Sequence, residues 1–86
     1  MTVREERTFR GISKRLAIRY LERLGGEKTE EGVVEGDRWR AECSESTVSV
    51  GPSLTLTEVT ILFEGEEATL DELLSKFRRK AMRAGG

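Results

Sequence analysis

The hydrophobic period of this chain changes twice, and that change restricts the possible folds more than any other feature. Leu16, Ala17, Tyr20, Leu21 and Leu24 fall on one face of a helix expected over Lys14 to Leu24. Ser13 stands where an N-cap belongs, and Gly25-Gly26 supplies a left-handed stop. From Glu27 to Glu64 the period becomes two, the signature of half-buried strands. After Thr69 it returns to helical spacing, with Leu70, Leu73, Leu74, Phe77 and Ala81 on one face. A helix, a strand-rich centre and a second helix make an α+β protein.

Within the centre, Val33 to Glu35 and Arg38 to Cys43 read as a hairpin turning at Gly36-Asp37. Trp39, Ala41 and Cys43 share one face of its second strand. Thr47 to Val50 reads as a separate strand with Val48 and Val50 turned inward, ended by Gly51-Pro52-Ser53. Leu54 and Leu56 have one parity and Val59, Ile61 and Phe63 the other, so a bulge is expected near Thr57-Glu58. Arg7 to Arg10 adds a short first strand before Gly11. Thr69 with Glu72 has the spacing of a capping box for the last helix. The predicted order is β-α-β-β-β-β-α, an antiparallel sheet of about five strands with two helices on one face. It is not the β-β-α-β-β of a β-grasp.

Eighty-six residues accommodate one domain, residues 1–86, with residues 84–86 expected as a flexible tail. Hydrophobic and charged residues each make up 36%, so the core is thin. The chain has no histidine, hence no imidazole for base catalysis or metal ligation. One cysteine, Cys43, excludes a disulfide framework, a CxxC pair and a thiolate zinc site. Its place on the Trp39-Ala41 face marks it as a small buried hydrophobe. The acidic run Glu27, Glu30, Glu31, Glu35 and Asp37 lacks calcium-loop spacing. Gly25-Gly26 follows a helix, whereas a phosphate loop precedes one. The chain therefore reads as non-enzymatic, with no catalytic residue, metal or cofactor. It also has no apolar run long enough to span a bilayer and opens on charged residues, so a cytoplasmic protein is expected.

The net charge of -1 conceals three blocks. Residues 1–24 carry seven basic and three acidic groups, residues 25–69 three and eleven, and residues 70–86 five and two. One reading is a surface that solvates itself; the other is a basic face for an acidic partner. Arg15, Arg19 and Arg23 recur every four residues along the first helix and are the candidate partner-binding stripe. Lys14 and Arg15 occupy its first turn, where the helix dipole disfavours cations. A nucleic-acid footprint fits poorly with a pI of about 5.6 and with aromatic residues at core parities. Gly85-Gly86 is the remaining candidate: lacking side chains, it could enter a narrow channel and present a carboxylate for adenylation.

Four stretches carry a resemblance: Arg7-Thr8-Phe9-Arg10-Gly11, Leu16 to Leu21, Val50-Gly51-Pro52-Ser53-Leu54-Thr55-Leu56-Thr57-Glu58-Val59, and Lys80 to Gly86. Together they resemble the MoaD-related C-terminal domain, a small archaeal family found fused to or encoded near MoaD-like ubiquitin-fold proteins. The resemblance implies a TATA-binding-protein-like arrangement and an association with sulfur transfer for molybdenum cofactor synthesis or with ubiquitin-like conjugation. Two roles follow from it. The chain is a modifier or sulfur carrier activated at Gly86, with Gly85 its slim neighbour, by a ubiquitin-activating-type enzyme. Alternatively it is an accessory domain that docks a MoaD-like protein or that enzyme without reacting. A nucleic-acid-binding module is the third and weakest reading.

Overall fold

The computed structural model describes Thr2–Gly85, with side chains described as far as Met82. The elements run β1 (Thr2–Arg10), α1 (Lys14–Arg23), β2 (Glu27–Glu30), β3 (Val33–Gly36), β4 (Trp39–Ser49), β5 (Thr55–Glu66) and α2 (Glu67–Gly85). The strands form one antiparallel sheet in the order β1-β5-β4-β3-β2. The α+β order expected from the sequence is the observed one.

Both helices cover the face that carries Trp39, Ala41 and Cys43 of β4 and Val59, Ile61 and Phe63 of β5. Ala17, Ile18 and Leu21 of α1 and Leu70, Leu73, Leu74, Phe77 and Ala81 of α2 complete a single buried cluster. Phe77 is its hub: its ring lies 4.8 Å from that of Phe9 and 6.1 Å from those of Tyr20 and Phe63, centroid to centroid. Tilted and edge-on geometries of this kind add to the burial term.

Several local expectations are corrected. The first strand is nine residues rather than four, because every residue from Thr2 to Arg10 has a partner on β5. Thr47 to Val50 is not a separate strand; β4 continues unbroken to Ser49 against β5. No bulge interrupts β5, whose register with β4 is constant from Thr55 to Gly65. Val48 and Val50 do not point inward. They lie with Leu54 and Leu56 on the face away from the helices, where Val48 pairs with Leu56 and the Val50 amide donates to the Leu54 carbonyl. The apparent parity change marks a hairpin that outruns the helices and pairs its apolar residues across strands on the other face.

The fifth strand is β2, whose Glu-Lys-Thr-Glu sequence is exposed throughout and carries no apolar signal. The turn before β4 is Asp37-Arg38, with Gly36 opposite Trp39 and Arg38 at φ 65°. Gly36 serves packing, since a Cβ there would run into the Trp39 indole. The capping box is not at the helix start. α2 begins at Glu67 directly from β5, and Glu72 instead pairs with Lys76 at 2.9 Å.

Candidate protein-docking site

α1 starts as expected. The Ser13 hydroxyl accepts the Leu16 amide at 3.1 Å, and the chain leaves the helix through Gly25 at φ 107°. The cations in the first turn are compensated from a distance: the Glu45 carboxylate on β4 accepts the Lys14 amide at 2.7 Å. A carboxylate at that position satisfies an orphan amide and opposes the positive end of the helix dipole. Nothing in the local sequence announces it, because Glu45 lies 31 residues away.

An open groove of about 490 Å³ runs between α1 and the β2–β4 side of the sheet. Arg15, Ile18, Arg19 and Glu22 line it from the helix, and Lys28, Glu31 and Glu45 from the sheet side. Its acids are mostly committed. Glu31 lies between Lys14 at 3.6 Å and Lys28 at 3.8 Å, and Glu45 holds the helix end. Arg15 and Arg19 of the expected stripe therefore face the groove together. Arg23 is exposed further along the helix, outside the groove lining.

The ion pairs show what becomes of the three charge blocks. The cations of the sheet and its turns are matched within the sheet: Arg4 to Glu64, Arg7 to Glu5, Arg10 to Glu58, Arg38 to Glu66 and Arg40 to Glu42. Lys14 is the helical cation that crosses to the sheet side. Among the described residues, no carboxylate lies within ion-pair distance of Arg15, Arg19 or Arg23 on α1, nor of Arg78, Arg79 or Lys80 on α2. The middle block is thus neutralised in part by Arg4, Arg10 and Lys14 of the first block and in part by its own Lys28, Arg38 and Arg40, and the α1 stripe is left with its charge available.

Cys43 is buried, 4% exposed, with its amide donating to the Gly32 carbonyl at 2.7 Å. Burial pushes its thiol from 9.0 up to about 11, opposed by Lys14 and reinforced by Glu42. Between those values the unfolded chain releases a proton that the folded chain keeps. Stability at this position therefore falls as pH rises from 9 to 11, by on the order of 2 kcal/mol. Urea titrations across that range should show the wild type losing stability faster than Cys43→Ala. Equal slopes would remove the thiol as the cause.

The second candidate, Gly85-Gly86, is only partly placed. α2 is helical through Gly85, so that residue belongs to the helix rather than to a free tail, and Gly86 lies outside the described residues. The last described apolar anchor is Ala81; Met82 is 74% exposed. Among the described residues no helix is long and apolar enough to cross a membrane.

The fold and its charge distribution define a small α+β protein with two helices on one face of a five-stranded antiparallel sheet and an unpaired arginine row beside a groove. Over residues 5–86 the chain matches the sequence model of the archaeal MoaD-like proteins, and it belongs to that family. No curated protein matches it.

Proposed function

We propose that this archaeal MoaD-like protein is a non-enzymatic docking domain that binds a MoaD-type protein or its activating enzyme through the α1 arginine row. The observation that carries this reading is that Arg15 and Arg19 face an open groove with no carboxylate partner among the described residues, with Arg23 continuing the row, while the strand arginines are all paired. Arginines free of internal partners break no existing pair on binding, and their charge steers an acidic partner toward the surface. The lone buried thiol suits the reducing cytoplasm, where we place the protein.

The glycine pair favours a second reading, in which the chain is itself a ubiquitin-like modifier or the sulfur carrier of molybdenum cofactor biosynthesis. A carboxylate reaches an adenylating centre on extended chain, so this reading requires the end of α2 to unwind. The helix through Gly85 therefore weighs toward docking. Nucleic acid has the least support. The open face of the sheet offers no basic footprint for phosphate: its Arg4, Arg10 and Arg40 are paired with Glu64, Glu58 and Glu42, and Glu6 and Glu35 add further negative charge.

Calorimetric titration against the purified MoaD-type protein and activating enzyme of the same host tests the docking role. Reversing Arg15, Arg19 and Arg23 to Glu should weaken association at least about tenfold. The fold should survive the change, because exposed charges contribute under about 1 kcal/mol each, and the thermal midpoint should move far less than in a core variant such as Phe77→Ala. Unchanged association would return the row to a solvating role.

A further inference from the structure

We propose that the exposed edge of β4, from Ser44 to Ser49, accepts an extended acidic segment of the partner as an added strand beside Arg15 and Arg19. The proposal rests on the docking role and names the chemistry of what docks. β3 pairs with β4 only as far as Val33 opposite Glu42, whereas β4 continues to Ser49. The Cys43 amide points to the β3 side, since it donates to the Gly32 carbonyl. Backbone direction alternates along a strand, so Glu45, Thr47 and Ser49 also turn their N–H and C=O groups to that side. The even residues bond to β5, as Val50 does to Leu54. Among the described residues no backbone or side-chain group pairs with the edge groups of Glu45, Thr47 and Ser49. Such a row is a ready template for another strand.

Charge and polarity decide the occupant. A strand laid beside β4 alternates its side chains between the two faces of the sheet. On the helix face it meets the groove, where the unpaired Arg15 and Arg19 outnumber the one uncommitted acid, Glu22. The Glu45 carboxylate on that face is already engaged by the Lys14 amide. On the other face the added strand meets an apolar patch of half-buried Val48 with exposed Val50, Leu54 and Leu56, Val50 being 41% and Leu54 59% exposed. The complementary segment alternates acidic and apolar residues. A second copy of this chain meets the requirement less well: the β4 edge offers Ser44-Glu45-Ser46-Thr47-Val48-Ser49, with a single acid already in use.

The test is amide hydrogen exchange on the full, isotopically labelled chain with a short capped peptide of alternating glutamate and valine. Binding should slow exchange at Glu45, Thr47 and Ser49 at least about tenfold, leaving the β1 edge unaffected. N-methylating the peptide's pairing amides should abolish that protection without altering the protein. Arg15→Glu/Arg19→Glu should weaken binding at least about tenfold. An alternating lysine-valine peptide should not bind. The proposal falls if the acidic peptide fails to bind, or binds without protecting the three amides, or survives N-methylation. It also falls if the amides become protected with rising protein concentration alone, which would make a second copy the occupant. If the whole partner binds in an arginine-dependent way while the three amides exchange freely, the docking role stands and strand addition is wrong.

Discussion

The Phe77→Ala variant loses about 3–5 kcal/mol, the cost of emptying a fully buried aromatic site. Phe77 is 0% exposed and its ring meets Phe9 on the edge strand β1, Tyr20 on α1 and Phe63 on β5. Three elements therefore lose their common contact at once, and none can collapse into the space without dragging a backbone with it. At roughly 0.05–0.15 kcal/mol per residue, a domain of this size has about 4–13 kcal/mol in total, so the loss removes a large share of it. Urea unfolding should show the midpoint moved far toward zero denaturant, with the slope unchanged. A loss under about 1 kcal/mol would mean that the helices are not held through this residue.

Gly36→Ala is the second large effect, expected at about 1–3 kcal/mol from overpacking. Three glycines surround Trp39. A Cβ at Gly36 overlaps the indole, one at Gly26 meets its Cη2 at 2.6 Å, and one at Gly65 meets the Trp39 Cα at 2.9 Å. The ring lies in a slot that exists because Gly26 and Gly36 lack side chains, and Trp39 is 7% exposed there. The clash needs both partners, so the cost should vanish when Trp39→Ala is already present. Stability measured over the double-mutant cycle should show that coupling. Additive losses would mean that Gly36 is required for its backbone rather than for the ring.

Much of the core was legible because burial follows period. Trp39, Ala41, Cys43, Ile61, Phe63, Leu21, Leu73 and Phe77 stand together as their spacing implies. The right strand count concealed two misreadings that cancel: β2 was invisible and β4 was divided in two. β2 is held by pairing with β3 and has no buried residue to announce it. β4 and β5 outrun the helices, so the residues beyond Cys43 and before Val59 answer to their cross-strand partners rather than to the core. At the site, the spacing of Arg15, Arg19 and Arg23 was plain. That they are unpaired depends on sheet register, which sets Glu64 beside Arg4 and Glu58 beside Arg10. The open β4 edge is likewise a property of where β3 ends.

Docking and covalent activation leave different marks on the chain itself. The direct measurement is the intact mass of the protein isolated from its native host, together with a search for alanylglycylglycyl-lysine branches on other host proteins. The docking role predicts an unmodified carboxylate at the chain end and no branched adducts carrying this sequence under several growth conditions. A mass showing one sulfur in place of one oxygen, or a single branched peptide ending in Ala84-Gly85-Gly86, would contradict it and make the chain a carrier.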